Sequence, residues 1–201
     1  MGITKCLGII IFNLSDGGEM KKIIIIVIAL MQISCAQEET KYLVEPIAEG
    51  FNFIEGPVLK DGVVLFSDIP ENTIFQWTEK DGVSEYYKPS GNSNGLALNA
   101  EGELLLAQHG KRRISKVTND GDEVSLVDNY QGKKLNSPND LTLHSDGSIY
   151  FTDPPYGIKS EEEELGYYGI FRLSSDGDII LLDKSLIRPN GICLSLDEKK
   201  L

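Results

Sequence analysis

Four segments of this chain are versions of one another, and that repeat restricts the fold more than any other feature. Gly95-Leu-Ala-Leu-Asn-Ala-Glu-Gly-Glu-Leu-Leu-Leu-Ala107 aligns without gaps on Asp140-Leu-Thr-Leu-His-Ser-Asp-Gly-Ser-Ile-Tyr-Phe-Thr152. A further copy begins at Gly191 and is still incomplete at the last residue, Leu201, and a shorter version runs from Gly56 to Ser67. Each copy is an apolar run, an Asp-Gly or Glu-Gly turn and a second apolar run, which is the pattern of a β-hairpin.

Between the hairpins lies a second repeated unit. Thr73 to Trp77, Arg113 to Val117 and Gly169 to Leu173 are each followed by an Asp-Gly turn and a further strand-like run, such as Glu123 to Val127 or Ile179 to Leu182. Their alternation of apolar and polar residues suits half-exposed outer strands. Four strands per unit, recurring roughly every 40 to 50 residues, predict an all-β fold of the β-propeller kind. The chain holds about three blades plus one strand. A propeller closes into a ring, so the sequence is expected to be truncated, a fragment or a shortened gene model with an apolar edge where later blades would dock.

The start of the chain reads differently. Ile23 to Met31 is an apolar run behind Lys21-Lys22; about nine residues cannot cross ~30 Å of hydrocarbon, so the run reads as an export signal rather than a membrane span. Translation is expected to begin at Met20. Cleavage before Cys35 would make a lipoprotein acylated on that cysteine, whereas cleavage after Ala36 would give simple secretion; the first is preferred. Residues 1–34 are thus read as an upstream extension and signal peptide, 35–41 as a linker and 42–201 as the partial propeller. Such signals resemble those of Gram-negative bacteria, which predicts a periplasmic or outer-membrane-anchored protein touching membrane only through lipid. Cys193, the remaining cysteine, lies between Ile192 and Leu194 and is expected to be a small buried core residue.

The net charge is −12, with 31 acidic against 19 basic residues, and no basic stripe interrupts it. Such a surface repels phosphate backbones, which excludes nucleic acid as a partner.

A polar residue stands just before the first strand of each hairpin: Glu55-Gly56, Asn94-Gly95, Asn139-Asp140 and Asn190-Gly191. In a propeller the innermost strands line the central axis, so these positions converge. One carboxylate and several amide oxygens suit a hard cation, calcium or magnesium, better than zinc, which favours His and Cys. The plainer reading is that asparagine before glycine suits a turn at positive φ; neither Glu55 nor Asn139-Asp140 is demanded by such a turn. Asp68, His109 and Asp153 each follow the second strand of a hairpin and are read as a register of their own. His144 falls at a hairpin turn and is expected to be exposed and inert. Glu161 to Glu164 read as a solvated loop.

Four motifs resemble those of the regucalcin/gluconolactonase family: Ile54-Glu55-Gly56-Pro57, Leu135-Asn136-Ser137-Pro138-Asn139-Asp140, Phe151-Thr152-Asp153-Pro154-Pro155-Tyr156-Gly157 and Arg188-Pro189-Asn190-Gly191. The resemblance spans roughly residues 42 to 201. It implies a six-bladed propeller with one catalytic divalent metal, calcium first and magnesium or zinc as alternatives, that hydrolyses lactones of aldonic acids. It implies that Glu55, Asn139 and Asn190 are metal ligands, and that a further aspartate, the expected general base, comes from a later blade beyond Leu201. Asn94, His109, Asp153 and Tyr156 are candidates for substrate contact, although His109 could be a plain loop residue and Tyr156 could be structural. Regucalcin-like members carry arginine where this chain has Ser137, which bears on substrate identity. The rival readings are a propeller that only binds a sugar or protein, and a metal-dependent esterase or phosphotriesterase.

Overall fold

The computed structural model describes residues 12–16, 19–23 and 45–201. The chain divides into two units, residues 1–45 and 46–201. In the first, β1 (Phe12–Asp16) pairs antiparallel with β2 (Glu19–Ile23). Cys35 and both cleavage sites read from the sequence lie outside the described residues.

The second unit is three four-stranded antiparallel sheets, each a simple up-and-down meander. Blade 1 comprises β3 (Ile54–Lys60), β4 (Val63–Asp68), β5 (Thr73–Thr78) and β6 (Gly82–Tyr87). Blade 2 comprises β7 (Ser93–Leu98), β8 (Leu104–Gln108), β9 (Arg113–Val117) and β10 (Glu123–Val127). A short ribbon, β11 (Asn129–Tyr130) with β12 (Lys133–Lys134), precedes blade 3. Blade 3 is β13 (Leu141–Leu143), β14 (Ile149–Asp153), β15 (Gly169–Leu173) and β16 (Ile179–Asp183). These are the strands that the repeat predicts; the β11–β12 ribbon was not foreseen.

Side-chain alternation explains how the blades stack. All five residues of β8 are buried. Leu104 and Leu106 join Leu65, Ile74 and Leu96 in the core between blades 1 and 2. Leu105 and Ala107 point the other way, into a cluster with Ile114, Leu141, Phe151 and Phe171 between blades 2 and 3. A strand packed on both faces favours apolar residues on each, which is why Leu104-Leu105-Leu106-Ala107 does not alternate, and the buried polar Gln108 that ends it is satisfied by hydrogen bonds. The ribbon adds to the second core, because Tyr130 meets the edge of Phe171 at 5.3 Å between ring centroids. The outermost strands, half exposed, carry Ile180 and Leu182 facing out on blade 3, and an apolar trough of Ile47, Phe51, Ile54, Phe66 and Trp77 opens on blade 1.

Three sequence expectations are corrected here. The fourth hairpin does not form strands: the turn closes, with Ser195 N–H on Lys200 O at 2.9 Å and Glu198 N–H on Ser195 O at 2.8 Å, but Gly191 to Leu201 has no ladder. A strand needs a partner to satisfy its backbone, and among the described residues no second strand lies alongside. Cys193 is therefore exposed rather than buried. His144 is not free either, since its ring lies 3.1 Å from Asp146 and 3.6 Å from Glu198 of the closing turn. Glu161 to Glu164 form a mostly exposed one-turn 3-10 segment and its continuation.

Candidate active site

The lead-in residues of successive inner strands touch one another. Gly56 packs so closely on the Asn94 carbonyl that a Cβ there would collide with it, and Gly95 packs as closely on Asp140 and Asn139 O. Gly95 N–H donates to Asn139 O at 2.8 Å. Thr152 Oγ1 donates to Asn190 O at 2.7 Å, and Ile192 N–H to Asp140 Oδ2 at 2.9 Å. Blades 1, 2, 3 and the segment after them thus meet at Glu55-Gly56, Asn94-Gly95, Asn139-Asp140 and Asn190-Gly191, the four places marked by the repeat. Ladder breaks at Glu55/Val58 and Ser93/Leu96 bulge the strand there and turn side chains off the sheet face.

The plainer reading of these asparagines does not apply, since Asn94, Asn139 and Asn190 all have negative φ. Asn94 and Asn139 are nearly buried, at 5 % and 4 % exposure; Glu55 is half-buried and Asn190 exposed. Among the described residues, nothing hydrogen-bonds to the side chains of Glu55, Asn139 or Asn190. A set of oxygen donors fits a hard divalent cation. No three His, Cys, Asp or Glu side chains cluster as a metal site among the described residues; this set contains a single carboxylate.

Asp153, read as a candidate for substrate contact, is engaged by the backbone of its own blade. It is fully buried, and its oxygens accept the backbone N–H groups of Asn136 at 2.8 Å and Ser137 at 2.7 Å. Burial raises its pKa to about 7, opposed by those two N–H groups and by the Arg112 charge. Asp68 does the same in blade 1, accepting from Asn52 N at 2.9 Å and Phe53 N at 3.2 Å. The register read as Asp68, His109 and Asp153 is shifted by one in blade 2. Ser93 pairs with Gln108 as Ile54 pairs with Asp68, so Gln108 holds that place, and its Nε2 donates to Ser90 O at 2.7 Å. Each blade therefore latches its own lead-in loop from the end of its second strand.

His109, one residue on, is 7 % exposed and lies 3.1 Å from Asn94 Nδ2 through its Nε2. With Asn94 donating, the ring proton sits on Nδ1. Burial lowers the His109 pKa to about 4, so the ring is neutral at physiological pH. Ser137 Oγ accepts the Gly157 N–H at 2.7 Å, and Gly157 packs against His109, which ties the Pro154 to Gly157 loop to this wall. Tyr156 is 41 % exposed at its edge, with its hydroxyl 3.4 Å from Arg188 O and the Arg188 guanidinium 5.9 Å from its ring centre.

Residues 53–201, three quarters of the chain, match the model of the SMP-30/Gluconolactonase/LRE-like region. The chain belongs to this family. It is 44 % identical over 178 residues to a gluconolactonase of Zymomonas mobilis, an alignment covering 79 % of this chain and 50 % of that protein. The solved gluconolactonase XC5397 of Xanthomonas campestris superposes with a TM-score of 0.69 at 34 % identity, covering 74 % of this chain and 53 % of that one. A Northeast Structural Genomics Consortium structure, provisionally designated a gluconolactonase, gives 0.71 at 37 % identity over 77 % and 56 %. The chain spans about half the length of these relatives. As a member of the SMP-30/gluconolactonase family its three sheets are propeller blades.

Proposed function

We propose that this protein hydrolyses a sugar lactone of the gluconolactone type to its aldonic acid, with a divalent cation, calcium first, held by Glu55, Asn139 and Asn190. The supporting observation is the shared register of those three side chains, each on a different repeat and none spent on a protein hydrogen bond. When bound, the cation supplies Lewis-acid polarisation of the lactone carbonyl. Asn94, fixed through its Nδ2 to His109, offers its amide oxygen to a sugar hydroxyl. The neutral His109 ring and Tyr156 wall the pocket. Asp153 and Ser137 shape it from behind, by fixing the loop before Asn139 and the loop that carries Tyr156. Attack by water needs a general base, which on this reading is the aspartate of a later blade.

Acid release from gluconolactone, followed by pH-stat above the spontaneous rate, tests the reading. Chelator or Glu55→Gln should lower the rate by at least ~100-fold, as expected when a charged cation ligand is lost. Hydrolysis that ignores chelator removes it, and cleavage of aryl esters or phosphotriesters without lactone cleavage moves the same site to another substrate. Export with a lipid on Cys35 is proposed from the Lys21-Lys22 and Ile23 to Met31 pattern; Cys35→Ser should then shift the protein from membrane to soluble fractions.

A further inference from the structure

The turns joining the second and third strands of blades 1 and 2 share an unusual backbone. Asn72 and Arg112 both lie at left-handed φ, 54° and 56°, each four residues after the latch position of Asp68 or Gln108. The turns close alike, Asn72 N–H on Ile69 O at 3.1 Å and Arg112 N–H on His109 O at 3.2 Å. Left-handed φ is tolerated by asparagine and strains the backbone of an arginine. At Arg112 something offsets that cost.

Both side chains reach the lead-in loop of the next blade. Asn72 Oδ1 accepts the Asn92 N–H at 2.8 Å and the Ser90 hydroxyl at 3.4 Å. Arg112 Nε donates to Leu135 O at 2.7 Å and Asn136 O at 3.0 Å. In the repeat Ser90 and Asn92 correspond to Leu135 and Ser137, so the two hooks grip the same stretch, just ahead of Asn94 and Asn139. The Arg112 hook is the stronger device. A charged donor 9 % exposed holds the loop's carbonyls, while Asp153 accepts its N–H groups from the other side, so the Asn136 peptide is gripped at both ends of its dipole.

We infer that Arg112 is a positioning residue for cation binding: acting through the Leu135 to Asn139 loop, it holds Asn139 on the rim. The inference rests on the reading of Asn139 as a ligand, and the test separates the two. The purified protein is titrated with calcium chloride by calorimetry as wild type, Asn139→Ala, Arg112→Asn and the double variant, with thermal unfolding recorded in calcium-free buffer. Arg112→Asn installs the residue that blade 1 uses, so the left-handed turn survives; Arg112→Lys, which keeps the charge without the Nε donor, serves as the second variant. Arg112→Asn should weaken calcium binding about tenfold, the scale on which the supports of cation ligands act, and by less than about twofold in the Asn139→Ala background. A lower melting temperature with unchanged calcium affinity makes Arg112 merely structural and overturns the inference, as do equal losses in both backgrounds. Unchanged affinity in Asn139→Ala overturns the ligand reading itself, and the inference with it.

Discussion

His109 and Asp153 lie in one region and titrate in opposite senses, which makes the pH dependence of stability a residue-level test. His109 is held at about 4, below its unfolded value of 6.5, so between those limits the unfolded chain takes a proton that the fold refuses. Stability from this group falls as pH falls, by about 3 kcal/mol at full extent. Asp153 is raised to about 7 from 3.8, so the fold binds the extra proton in that window and stability rises as pH falls. Urea denaturation of wild type between pH 7 and 4 should show the two slopes largely cancelling. His109→Gln should gain stability on acidification relative to wild type, and Asp153→Asn should lose it; like slopes in both variants refute the assignment. The sequence exposed the rim residues, because a polar residue before each apolar strand breaks the pattern. It concealed the role of Asp153, since a buried carboxylate serving backbone N–H groups and one open to substrate leave the same letter in the same place.

The inner strands carry the strictest demands of any element. Gly95 has ordinary φ, yet a Cβ there would lie 2.6 Å from Asp140 Oδ1 and 2.8 Å from Asn139 O, on a carboxylate held through its other oxygen by Ile192 N–H and a carbonyl that accepts Gly95's own N–H. Gly95→Ala should therefore cost ~2–4 kcal/mol in urea unfolding, whereas Gly121→Ala, at φ 91° with open space around it, should cost about 1 kcal/mol for backbone strain alone. Equal costs would mean that the inter-blade approach is looser than it stands. Strands were readable because alternation and Asp-Gly turns are local signals. The β11–β12 ribbon was not, being two residues per strand, and the fourth hairpin carried a strand signal to which no ladder answers among the described residues. The place of Gln108 at the latch was legible, since the ungapped repeat sets Gln108 opposite Asp153, and the pairing of Ser93 with Gln108 agrees with it.

At the scale of the molecule, contacts run between successive blades and the repeat alone foretold the architecture. What it could not foretell is that Asn72 and Arg112 each serve the blade after their own, because asparagine and arginine share no chemistry beyond reaching across the same gap. Damage should accordingly spread toward higher residue numbers. In native-state hydrogen exchange, Arg112→Asn should speed the amides of Asn136 and Ser137 while leaving those of Asn52 and Phe53 as they are; faster exchange at Asn52 would count against this directionality. The same polarity bears on synthesis. A chain leaving the ribosome from its amino end presents each hook before the loop it will catch, so Asn94 and Asn139 each emerge to find their holders, Asn72 and Arg112, already in place.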